Sequence, residues 1–138
     1  MFFVIVTAML WSSVSGITEY HRVRDRHLFS VEDEKYEYHS REWHKLAFVE
    51  KTFGLGTGVA IAFDAINEKS ILVGISDLFI VGAINWNIRD GVYNMKNGNQ
   101  FFYRSPNTTS SIEHLGTPLL KLGFLATAII ISLIIREL

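Results

Sequence analysis

At 138 residues the chain has room for one domain, and its hydrophobic fraction of 49% stands beside 20% charged residues, so the apolar residues must be gathered into segments. A formal net charge of −1 leaves no basic footprint for a nucleic acid and no strong field to steer a charged partner. Cysteine is absent, which excludes disulfide scaffolds, thiolate zinc sites and thiol nucleophiles and leaves the redox compartment open.

Four apolar stretches follow one another along the chain, at residues 2–17, 46–66, 71–88 and 118–135, each near the ~17–25 residues a helix needs to cross a hydrocarbon core. They are apolar around the whole helix circumference and longer than a usual buried strand, which favours helices. In the first stretch Ser13-Val14-Ser15 offers small residues at the spacing of a signal-peptide cleavage site, but no Lys or Arg precedes the apolar run. It reads as a first membrane helix rather than a removed leader. Beyond it the helix is expected to run on through Arg22, Arg24 and Arg26, and a cytoplasmic helix can begin after Ser30, with Asp33 at its third position. The basic arm then faces Glu32, Glu34 and Glu37 across a solvated hairpin of little energetic weight.

The second stretch carries Glu50, Lys51 and Asp64. Gly54 and Gly58 form a small-xxx-small pair there, and Gly74 and Gly82 recur at two-turn spacing in the third stretch, so backbones can approach closely and a homo-oligomer is open to the chain. The string Gly54-Leu55-Gly56-Thr57-Gly58 lacks both the Gly-Lys-Ser/Thr ending and the preceding strand of a phosphate loop. Asn67-Glu68-Lys69-Ser70 is a short turn, which makes the second and third helices antiparallel neighbours.

Loop charge sets the orientation. Arg22, Arg24, Arg26, Lys35, Arg41 and Lys45 lie between the first two stretches and Arg89, Lys96 and Arg104 between the last two, against Lys69 alone in the intervening turn. The two basic loops belong in the cytoplasm and both termini outside, with Arg136 a minor dissent. Trp43 and Trp86 then fall at the inner boundary of their spans. Asn107-Thr108-Thr109 fits a glycosylation sequon but falls in a loop assigned to the cytoplasm, and Ser110-Ser111 has no nucleophile elbow around it.

Two constellations are able to carry chemistry. Asp77 sits about two turns into the third helix, where an ionised carboxylate costs at least ~2.5 kcal/mol facing lipid, so it must face protein, water or a partner. With Asp64, Ser76 and Thr57 it defines a polar cleft near the outer face: a proton or cation site, or a hydrogen-bonded tie between helices. At the inner face His21, His44, Asp90 and His114 come from four segments, with Asp25, His39 and Asn94 as further candidates. Without cysteine, imidazole and carboxylate are the ligands that Zn, Fe or Mn would use, and a bundle core is a usual place to assemble them. No HExxH or Glu-x-x-His motif is present, however, and interfacial histidines also serve as amphipathic anchors.

From Trp86 the chain reads Trp86-x3-Asp90-x3-Asn94-x3-Gly98-x2-Phe101-Phe102-Tyr103. This pattern resembles one in small four-helix membrane proteins of Bacteroidetes and their phages. The resemblance implies a bacterial or phage membrane protein with an Asp and an Asn at its inner face, and carries no known activity with it.

The sequence therefore predicts an all-α integral membrane protein, a single transmembrane domain over residues 1–138. It is expected to form an antiparallel four-helix bundle with a short cytoplasmic helical extension between the first two helices, most naturally in a bacterial inner membrane. The leading functional reading is an accessory, packing or partner-binding subunit whose partners are the lipid bilayer, further copies of itself or a larger membrane complex. The alternatives are a metal-binding protein or metal-dependent membrane enzyme using the inner-face His/Asp group, and a proton or cation pathway through Asp64 and Asp77.

Overall fold

The computed structural model describes residues 1–27, 34–103 and 117–138. They form four helices: α1 (Phe2–His27), α2 (Glu34–Asn67), α3 (Ile71–Lys96) and α4 (Pro118–Glu137). All four are long and apolar enough to cross a membrane. The expected cytoplasmic extension is not a separate helix, because α2 runs without a break through 34 residues, about 51 Å at 1.5 Å per residue. Ser30 and Asp33, the expected cap of that extension, lie outside the described residues, as does the sequon at 107–109.

Local chemistry accounts for the helix ends. Lys69 takes a left-handed φ of 50°, the amide of Ser70 donates to the carbonyl of Ala65 and that of Lys69 to Ile66. This Schellman pattern satisfies the orphan carbonyls of α2 and reverses the chain within three residues. The end of α3 repeats it with Gly98 at φ 77° and the amide of Asn99 donating to Asn94. α4 opens with the Thr117 hydroxyl accepting from the amide of Leu120 at 3.2 Å and with a proline at its first position, a fixed φ where the missing donor costs nothing.

The packing departs from a closed four-helix square. α1 lies against both α2 and α3, while α4 packs along α3. Gly16 sets the α1–α3 approach, since a Cβ there would sit 2.6 Å from the Arg89 carbonyl oxygen. Gly54 admits the Trp11 indole, and Gly74 the Ala65 methyl. The other two glycines of the expected packing pairs behave differently: beside Gly58 and Gly82 no described atom lies within 4 Å of an added Cβ. The core that results joins Val4 and Ala8 of α1, Ile80, Val81, Ala83 and Ile84 of α3, and Ala128 of α4.

Burial is inverted relative to a water-soluble protein. Ser12, Ser15, Thr18, His21, Thr57, Ser76, Asp77, Asn87 and Ser132 are buried, while Phe48, Leu55, Phe63, Ile71 and Leu119 are each more than 60% exposed. Water would expel the second set and hydrate the first.

Candidate functional site

The strongest concentration of charge gathers where α1 begins, α2 ends, α3 begins and α4 ends. Arg136, on the last turn of α4, directs Nη2 to Asp64 Oδ2 at 2.7 Å and to Asp77 Oδ1 at 2.6 Å. Its Nε donates to Ser132 Oγ at 3.3 Å, and its Nη1 lies 3.9 Å from Glu68 Oε1. Ser76 donates to the same Ser132 oxygen at 3.1 Å, and the Met1 amino group reaches Asp64. Asp77 is fully buried. Its Oδ2 has no hydrogen-bond partner among the described residues.

This arrangement supplies the basic partner that sequence reading does not find for Asp77. Asp64 and Asp77 do share a site with Ser76 close by, but Thr57 turns to the carbonyl of Phe53 on its own helix. The missing cation was the residue that dissented from the loop-charge rule. Its partnership was findable by counting, because Asp64 stands three residues before the end of α2 and Asp77 six after the start of α3, at the end to which α4 returns. Two carboxylates sharing one guanidinium, with an amine beside them, form a neutralised knot that ties α2, α3 and α4 together.

At the opposite end the predicted inner-face residues are divided among separate partners. His21, 7% exposed, sets its Nδ1 3.0 Å from Nδ1 of His39, with the Tyr20 and Tyr38 rings edge-on to the pair. His44 is exposed and lies against Trp43 on its own helix, ring centroids 4.2 Å apart. Asp90 accepts from Lys121 at 2.6 Å. His114 and the side chain of Asp25 lie outside the described residues. Among the described residues no three His, Asp or Glu side chains form a group able to hold a metal, so His21, His44 and Asp90 do not make one between them. The hairpin charges are likewise local: Arg22 pairs with Glu19 and Arg41 with Glu37 on their own helices, and Arg24 lies over the Tyr20 ring.

The Trp86–Tyr103 motif has a structural explanation. Steps of four residues set Trp86, Asp90 and Asn94 along one side of α3. Lys121 of α4 bonds Asp90 and stands 5.5 Å over the Trp86 ring. Asn94 donates to the carbonyls of Phe101 at 3.1 Å and Tyr103 at 2.9 Å, and Gly91 leaves the space that the Phe101 ring fills. The motif closes the end of α3 and receives α4, which Asn87 also holds by donating to the Lys121 carbonyl.

Compared with protein-family models, curated proteins and solved structures, the chain matches none at a significant level.

Proposed function

We propose that the chain is an integral membrane protein whose four helices cross the bilayer in antiparallel order, with both termini outside the cytoplasm, and that it acts as an accessory, partner-binding subunit of a membrane assembly. The observation that carries this reading is the inversion of the surface. Asp64, Asp77 and Arg136 of the apolar helices are turned inward onto one another, whereas α4, with α3 as its main neighbour, exposes Leu119, Ile130, Leu133 and Ile134. A helix held on one side in a chain this small presents most of its circumference to lipid or to a partner helix. The resemblance of the Trp86–Tyr103 stretch supports a bacterial or phage source and an inner membrane. Asp64 and Asp77 fit a tie between helices better than a cation pathway, since Arg136 occupies both.

Native membrane patches excised without detergent and weighed by mass spectrometry test the assignment. A second polypeptide in fixed ratio is expected. Ala126→Trp, on an exposed position of α4, should release it without unfolding the chain. A monomer with lipid alone would sink the subunit role. Topology is readable from single introduced cysteines, for which the natural sequence offers no background.

The His21–His39 geometry supports a second reading. Nitrogens 3.0 Å apart span two adjacent coordination positions of a metal with bonds of about 2.0–2.1 Å. Elemental analysis of tag-free protein purified without chelators decides it: near-stoichiometric metal that His39→Gln removes would bring the metal-binding function forward.

A further inference from the structure

Two hollows adjoin between α1, α2 and α3. The first, about 410 Å³, is polar and is lined by Glu19 and Arg22 of α1, Glu50 of α2 and Arg89 of α3, with Trp11 and Trp43 as its aromatic walls. The second, about 510 Å³, follows the opening between α2 and α3 past Gly54, Gly58, Ile61, Leu78 and Gly82. Trp11, Asn85 and Arg89 line both. Counted from the start of α3 at about 1.5 Å per residue, Leu78 lies at a depth of roughly 10 Å, Gly82 at roughly 16 Å and Arg89 at roughly 27 Å. In a hydrocarbon core of about 30 Å the polar hollow falls at the inner headgroup boundary and the apolar one runs from there toward the middle.

We propose that these hollows together bind one phospholipid with an aminoalkyl phosphate headgroup, one of its acyl chains in the glycine-lined groove. The site rests on the membrane placement given above and commits to a lipid of the inner leaflet. Charge selects the headgroup. Arg22 and Arg89 both pair with Glu19, while Glu50 has no ion pair among the described residues, and the four charges sum to zero. Arg22 Nε is buried without a hydrogen-bond acceptor among the described residues, so Glu19 does not take up all the donors of this guanidinium. The headgroup phosphate lies on Arg22 and Arg89 and its ammonium on Glu50, which leaves each charge compensated. A headgroup with the phosphate alone would leave Glu50 uncompensated. The groove takes the chain because its floor is glycine: a Cβ at Gly58 or Gly82 would meet no described atom within 4 Å, so the protein's own side chains do not fill it.

The test is native mass spectrometry of the full chain in mixed micelles with equal amounts of phosphatidylethanolamine and phosphatidylglycerol of the same acyl chains. One phosphatidylethanolamine retained per chain, in preference to phosphatidylglycerol, is expected. Glu50→Gln should reduce that preference roughly tenfold, equivalent to about 1.4 kcal/mol. Gly58→Leu and Gly82→Leu should lower retention of both lipids by filling the groove, with helicity checked by circular dichroism. Equal retention of the two headgroups, unchanged in all three variants, would overturn the site as ordinary annular lipid. Displacement of phosphatidylethanolamine by soluble glycerophosphoethanolamine at equal concentration would overturn the groove. Extraction of the chain from membranes by alkaline carbonate would instead remove the membrane placement, and the lipid site with it.

Discussion

At the Met1 end, groups from α2, α3, α4 and the α2–α3 turn converge on a single guanidinium, and the Met1 amino group joins them through Asp64. At the His21 end the four helices are joined by separate pairs: His21 with His39, Glu19 with Arg89, Asp90 with Lys121. The side chains of Arg136, Asp64 and Asp77 are 13%, 18% and 0% exposed, whereas Arg89 and Asp90 are 40% and 37% exposed. A concentrated, buried network and a distributed, half-hydrated one respond differently to the loss of a member. In the first, a buried charge is left stranded; in the second, the survivor turns to water.

The largest effect should therefore follow Arg136→Met. It leaves Asp77 without its cation and Asp64 with only the Met1 amino group, at a site water does not reach freely, a loss of about 3–5 kcal/mol, measured as unfolding in mixed micelles titrated with dodecyl sulfate. Adding Asp64→Asn and Asp77→Asn should restore most of that loss, because the triple variant removes the charges that were stranded. If the triple variant stays as unstable as the single one, the guanidinium acts through packing and the contrast between the two ends is wrong. The proton or cation reading is tested on the same residues: Asp77→Asn in proteoliposomes leaves flux unchanged if the network is a tie.

Gly16→Ala probes the seam between the ends. Its Cβ would lie 2.6 Å from the backbone oxygen of Arg89 and 2.9 Å from Val92 Cβ, so one helix must move, at a cost of about 1–3 kcal/mol. The same change at Gly91 meets the Phe101 ring, a side chain that can rotate away, and should cost less. Equal losses in the two variants would mean that the α1–α3 contact yields as readily as the loop does.

Lys121→Met tests the distributed end. The substitution removes the ion pair with Asp90 and the cation over Trp86, yet Asp90 can hydrate, so a loss of about 1 kcal/mol is expected. Tryptophan emission should change as Lys121 leaves the Trp86 face. A loss matching that of Arg136→Met would place the His21 end in the same class as the other and erase the distinction.

What was legible in the sequence divides along the same line. The four helices were readable because apolar run length is a one-dimensional property, and so was the turn at 67–70. That Asp77 needs an interior partner was also readable, from the cost of a charge in lipid. Which cation answers it was not, since Arg136 lies 59 residues away along the chain and loop-charge counting treats it as a tail residue. The histidines expected at one face show a complementary limit. Matching depths along helices placed His21, His44 and Asp90 at one level, but depth fixes one coordinate of three, and rotation about the helix axes sends His44 outward and Asp90 to α4. The glycines show the same limit: spacing alone does not separate Gly54 and Gly74, which touch a neighbour, from Gly58 and Gly82, which do not.

Ser132→Ala carries the smallest expected effect and the sharpest control. Ser132 is fully buried and its oxygen takes two donors, Ser76 at 3.1 Å and Arg136 Nε at 3.3 Å. Both donors keep other acceptors: Ser76 donates to the Val73 carbonyl at 2.8 Å, and Arg136 holds its two carboxylates. The lost bonds between apolar helices should therefore cost about 0.6 kcal/mol, several-fold less than removal of the guanidinium in the same unfolding assay. A loss as large as that of Arg136→Met would show that the serine contact, rather than the shared charge, holds α4 at the Met1 end.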